Sequence, residues 1–289
     1  AVGDWTTFTD NGTTQTRTHG PTHELTAIAG TPILYDSRGN MTQDEQGKSF
    51  AWDINGMLSS ATVPTGAATG VAGTHTYQYD ALGRRVRKAV GGTSASDTVY
   101  SLDGQIVLTE YTATTASTSP LRKYINAAYV DEPILLIDRT AAGDVAAGTD
   151  ERLYYHRNQQ YSITALSNNT GSVVERYAYT AYGDPAILNG AGTTTRTTSN
   201  YGNPYLYTAR AFDAESGLYY FRARIYEGLK GRFLSHDPII YPDGAGTYHA
   251  HFAMRQAKGV DPSGLWNESG HFYSVYIIAR ACGIAEHDA

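Results

Sequence analysis

"YDALGRRV" (79–86) follows two variants of itself, "WDINGML" (52–58) and "YDSRGNM" (35–41). Each reads aromatic, Asp, two variable positions, Gly, then a return into polar or apolar residues. The aromatic ends a strand and packs. The aspartate can accept hydrogen bonds from backbone N–H groups in the turn, and the glycine takes the positive φ of a tight hairpin. The unit is therefore a short β-hairpin, and "YSLDGQIVL" (100–108) is a degenerate echo of it. The spacing is 17 residues from Tyr35 to Trp52 and 27 from Trp52 to Tyr79, so the turn is kept while the intervening length varies. A hairpin cannot bury its own face, which predicts that the units stack side by side into one continuous sheet.

Composition agrees. The 289 residues include 23 tyrosines and 30 glycines against 7 phenylalanines and 3 tryptophans, a mixture of strand formers and turn residues. Hydrophobic residues make up 41% and charged residues 17%, which excludes a strongly disordered chain. No apolar run reaches the length of a membrane-spanning helix, and "PILLI" (133–137) fits a buried strand. The net charge of −6, with no basic stripe to offset it, argues against nucleic acid as a partner. One cysteine, Cys282, precludes an internal disulfide framework. The first residues, "AVGDWTTFTD", have neither the basic start nor the apolar stretch of a signal peptide.

Alternation in "VVERYAYTAYG" (173–183) places Val173, Tyr177 and Tyr179 on one strand face and Arg176, Thr180 and Tyr182 on the other. Thr/Ala/Gly/Ser-rich stretches at 59–75, 89–98, 112–119 and 187–200 read as loops. From residue 203 the chain becomes dense in aromatics and arginines. Beyond Trp266, Phe272, Val275, Tyr276, Ala279 and Cys282 recur at helical spacing, predicting a short C-terminal amphipathic helix.

These features, with "KYINAAYVDEPILLIDR" (123–139), "YYHRNQQYSITALSNNTGSVVERYAYTAYGDP" (154–185), "ARAFDAESGLYYFRARIYEGLKGRFLSHDPI" (209–239) and "DPSGL" (261–265), resemble the RHS/YD-repeat family over residues 23–266. The similarity is to the C-terminal shell and core region of a bacterial polymorphic toxin of the RHS/Tc type. It implies an all-β fold of stacked hairpins in a spiralling sheet, part of a hollow shell closed by a core plug. The implied division is a repeat sheet over 1–202, the core over 203–265, and the start of a truncated toxin or cleaved peptide over 266–289. The partners implied are the chain's own C-terminal segment as cargo and the remaining repeats of a longer parent, exported from the cell.

The resemblance also implies a self-cleaving core. Its catalytic pattern maps onto Asp237 in "SHDPI", Asp261 in "VDPSGL" and Arg224, thirteen residues before Asp237. Pro262 and Gly264 belong to the terminal motif, and the scissile bond is Leu265–Trp266. Two carboxylates sharing a proton can hydrolyse a peptide without metal or cofactor, one activating water and one protonating the leaving amide. Arg224 would pair with a carboxylate or steady the tetrahedral intermediate. Taken singly, an Asp-Pro pair is an ordinary turn. The alternative reading is thus a non-catalytic shell or adhesion module whose outward tyrosines bind a glycan or a protein. His249 and His251 fall on one side of a strand near His236, but no metal is assigned to them.

Overall fold

The computed structural model describes residues 4–10, 12–91, 97–114, 118–127, 132–139, 151–238, 248 and 264. The expected helix over 268–284 lies outside the described residues. Among those described, the regular elements are strands apart from one 3-10 turn at Tyr207–Ala209. No described helix is long and apolar enough to cross a membrane.

Consecutive hairpins do form one sheet. Fifteen strands, from Leu34–Tyr35 to Thr195–Arg196, lie side by side in chain order, each antiparallel to the next. A four-stranded sheet, Thr7–Asp10 to Thr31–Pro32, precedes it. A second four-stranded sheet follows: Ala211–Asp213, Leu218–Phe221, Arg224–Glu227 and Arg232–Phe233. This last one is called the core sheet below.

The turn chemistry is as the motif requires. Asp53 Oδ1 accepts from the Asn55 and Met57 amides at 2.9 Å each, and the Gly56 amide donates to the Asp53 carbonyl. Asp36 and Asp80 repeat the arrangement. So does Asp44, without an aromatic before it, and so do Asn158 and Asn168. The aromatic of the unit has a second duty. Tyr35, Trp52, Tyr79 and Tyr179 each donate a hydrogen bond to a carbonyl of an earlier strand: Leu25, Met41, Leu58 and Ile163. A phenol or indole can do this and a phenyl ring cannot, which favours tyrosine or tryptophan over phenylalanine at this position of the unit.

Two loop expectations need correction. Of the stretch 59–75, residues 59–63 belong to the strand Leu58–Val63 and 73–75 to Gly73–Tyr79; of 187–200, residues 187–189 belong to Pro185–Asn189 and 195–196 to Thr195–Arg196. In the first, Leu58, Ala61 and Val63 are buried while Ser59, Ser60 and Thr62 are only half-buried, so a half-covered strand reads as loop composition.

The core sheet explains the run "LYYF" (218–221). One of its faces, with Tyr219, Phe221, Tyr226 and Phe233, packs on Tyr124, Leu136, Leu153, Tyr155 and Tyr177 of the long sheet. The other, with Leu218, Ile225 and Leu234, packs on Met41, Phe50, Leu58 and Tyr77 from the same long sheet. A strand covered on both faces has no solvent side, so Leu218–Phe221 runs apolar and aromatic without alternation. The early and late halves of the long sheet therefore approach the core sheet from opposite sides. Ion pairs fix the contact: Asp213 binds Arg85 at 2.6 Å and Lys88 at 3.1 Å, and Lys230 binds Glu45 at 3.0 Å.

One turn also touches the residues beside Asp237. Gly39 and Gly56 both have φ of 78°. A Cβ on Gly56 would meet nothing within 4 Å, whereas one on Gly39 would lie 2.6 Å from the His236 ring and 2.8 Å from Tyr248 Oη. Gly56→Ala is expected to cost about 1 kcal/mol in urea unfolding, from the left-handed backbone alone. Gly39→Ala should cost at least about 1 kcal/mol more, from overpacking. Equal losses would mean that the 36–39 turn does not seat against His236 and Tyr248.

Candidate functional site

Arg224 opens the third core strand, paired in register with Phe221 across the two-residue turn Arg222–Ala223. Strand alternation places it on the same face as Tyr226, Tyr219 and Phe233. Its guanidinium carbon stands 3.6 Å from the centre of the Phe233 ring, a cation–π contact that holds the side chain flat. From there Arg224 Nη2 reaches Asp237 Oδ2 at 2.9 Å, with both side chains only 2% exposed. A buried ion pair has lost its hydration and survives only with good geometry and further hydrogen bonds.

The further bond comes from across the chain. Arg224 Nε donates to the carbonyl of Gly264, forty residues on. Gly264 is buried and has φ of 74°. A Cβ there would fall 2.3 Å from the Phe221 carbonyl oxygen, so the backbone at 264 lies directly on the hairpin that carries Arg224. Only glycine permits both the approach and the φ.

The structure thus brings Arg224, Asp237 and Gly264 together. Asp261, Pro262, Leu265 and Trp266 lie outside the described residues, as do His249 and His251. His236, next to Asp237, stacks edge-on against Tyr248 at 4.5 Å, and burial lowers its pKa. On the opposite face of the Arg224 strand, burial raises the carboxyl of Glu227 above its usual value, against the pull of Lys230 at 2.8 Å. Among the described residues, no group of three or more His, Cys, Asp or Glu is placed to hold a metal ion. Sequence reasoning did not single out Phe233 or the Phe221 carbonyl. The contact of Arg224 with Phe233 depends on strand register, and no residue spacing carries that signal.

No protein-family profile matches the chain. The tRNA nuclease WapA of Bacillus subtilis is 32% identical over 270 residues, covering 92% of this chain and 10% of WapA. The toxin subunit YenC1 of Yersinia entomophaga is 26% identical over 219 residues, covering 74% of this chain and 22% of YenC1. The chain therefore spans a small part of the length of these relatives. In fold it is similar to a crystal structure of TcdB2-TccC3-Cdc42, with a TM-score of 0.66 at 20% identity, over 89% of this chain and 12% of that one.

Proposed function

We propose that this chain, which belongs to the RHS/YD-repeat family of toxin shells, cleaves itself between Leu265 and Trp266. The observation that carries the reading is the double engagement of Arg224. One buried guanidinium binds the carboxylate of the first Asp-Pro turn and the backbone of the terminal "DPSGL" motif. Asp261 is three residues before Gly264, a span of about 10 Å at full extension, and Leu265 is the next residue. Both reacting groups are therefore tethered to the point where Arg224 and Asp237 meet.

In the proposed reaction Asp237, held beside a cation, takes a proton from water. The water oxygen bonds to the Leu265 carbonyl carbon, Asp261 gives a proton to the Trp266 nitrogen, and the C–N bond breaks. The products are a carboxylate at Leu265 and a free amine at Trp266. Arg224 orients Asp237 and, through the Gly264 carbonyl, the segment to be cut. YenC1 is a toxin subunit and WapA a tRNA nuclease, and the segment released is read as the beginning of a toxin domain enclosed by the shell of an exported parent.

The glycan-binding alternative rests on outward tyrosines. Among the described residues Tyr154, at 40% exposure, is the one tyrosine that stands among the large exposed hydrophobics, which gives a glycan no group of outward rings to stack on. Intact-mass measurement of freshly made chain tests the proposal. Wild type should divide at Leu265–Trp266, while Asp237→Asn and Asp261→Asn should remain whole. A wild-type chain that stays at full mass across pH would refute it.

A further inference from the structure

The run from Lys230 to Asp237 carries Phe233 beneath the Arg224 guanidinium and ends on the Asp237 carboxylate. It is gripped by residues far upstream. Lys230 Nζ stands 3.4 Å from Asp44 Oδ2 and 3.0 Å from Glu45 Oε2, and the Lys230 carbonyl accepts from Arg17 at 3.1 Å. Arg232 donates to the His23 carbonyl and lies 3.5 Å from Asp4. The Leu234 carbonyl accepts from the Met41 amide at 2.8 Å. Buried ion pairs add little stability over apolar packing of the same volume, and their best-attested use is to fix register.

Closer to the site, the buried Tyr248 joins this run to the Asp36–Gly39 turn. Its carbonyl accepts from the Phe233 amide at 3.0 Å, and its hydroxyl donates to the Gly39 carbonyl at 2.7 Å. Its ring meets Tyr35 at 5.7 Å and His236 at 4.5 Å, edge-on in both cases. Gly39 leaves no room for a Cβ beside that histidine. Asp237 follows His236 directly, so the tether is too short to absorb a shift of the turn. A misplacement of about 1 Å at a reacting group costs about a hundredfold in rate.

We propose, on the cleavage reading above, that the Asp36–Gly39 turn and Tyr248 position Asp237, so that self-cleavage waits until the upstream hairpins have closed on the core sheet. Gly39 and Tyr248 are positioning residues that act through His236 and Phe233. A shell not yet closed leaves the 230–237 run without its outer contacts, and the segment beyond Leu265 stays joined to its container.

The test is a time course of intact mass on the whole chain, at a temperature where circular dichroism shows every variant folded. Gly39→Ala should cleave about tenfold or more slowly than Gly56→Ala, which carries the same φ in a turn where a Cβ meets nothing. Tyr248→Phe deletes one hydroxyl and should cleave more slowly than Tyr79→Phe, which loses a comparable 2.9 Å bond to the Leu58 carbonyl. Hydrogen exchange, read by mass spectrometry in the Asp261→Asn background, supplies a readout that needs no cleavage. There Gly39→Ala should quicken exchange over residues 232–237 but not over Ala211–Asp213, whereas a general loss of stability would quicken both. A wild type that divides while Gly39→Ala keeps pace with Gly56→Ala, or unchanged exchange at 232–237, would overturn the coupling and leave self-cleavage standing. A wild type that stays whole would remove both.

Discussion

Gly264→Ala is expected to slow release of the segment beyond Leu265 by on the order of a hundredfold or more, while thermal unfolding of the shell moves little. The methyl group meets two obstacles. Its φ of 74° is left-handed, worth about 1–2 kcal/mol for a residue with a Cβ. Its position also falls 2.3 Å from the Phe221 carbonyl oxygen, a backbone atom in a paired hairpin that cannot swing aside as a side chain would. Overpacking of this kind costs about 1–3 kcal/mol. The cheapest response is for residue 264 to leave its seat, which takes its carbonyl away from Arg224 Nε and leaves the Arg224–Asp237 pair intact. A penalty of a few kcal/mol on the competent geometry corresponds to about two powers of ten in rate. The check is a time course of intact mass, with Gly56→Ala as a control that has the same φ problem far from the site. Cleavage of Gly264→Ala at the wild-type rate would show that the seating at Phe221 is irrelevant to the chemistry.

That contact was beyond the reach of local reading, and the reason is physical. The turns at Asp36, Asp53 and Asp80 were legible because aromatic, carboxylate and glycine each solve a problem within five residues. Asn158–Tyr161 solves the same problem with an amide acceptor and a tyrosine at φ of 60°, so its pattern is hidden although its hydrogen bonds are identical in kind. Residues 59–63 read as loop because Ser59, Ser60 and Thr62 are half-buried polar residues and the fully buried Ala61 is small. The core sheet was legible as dense but not as a sheet with two covered faces, since period-2 alternation vanishes when both sides are apolar. The meeting of Arg224 with Gly264 depends on how the whole core folds. Family resemblance points to Arg224, but the ring of Phe233 beneath it follows only from the strand register.

The second large effect concerns what holds the core sheet to the long one. Asp213→Ala is expected to cost about 3–5 kcal/mol in urea unfolding near neutral pH. Asp213 and Arg85 side chains are 3% and 5% exposed, and removing the carboxylate strands Arg85 and half-strands Lys88, which keeps Glu215 at 3.2 Å. The Arg85 guanidinium also lies 4.4 Å from the Tyr220 ring, so it cannot move out to water without unpacking the core strand. Burial alone would raise the Asp213 carboxyl, but Arg85 and Lys88 outweigh it and hold it below its usual value of 3.8. The sign follows. Because the folded value is depressed, the stabilisation is complete above the unfolded value of 3.8 and is lost as pH falls through the lower, folded one. The gap between wild type and Asp213→Ala should therefore be constant from neutral pH down to about 4 and narrow only below it. Asp213→Asn keeps the shape and some hydrogen bonding, so it should fall between the two at neutral pH. If the variant instead matched wild type at neutral pH, or if the gap closed on raising the pH, Asp213 would not be the ionic anchor between core and shell. The anchoring would then rest on the apolar faces of the core sheet alone.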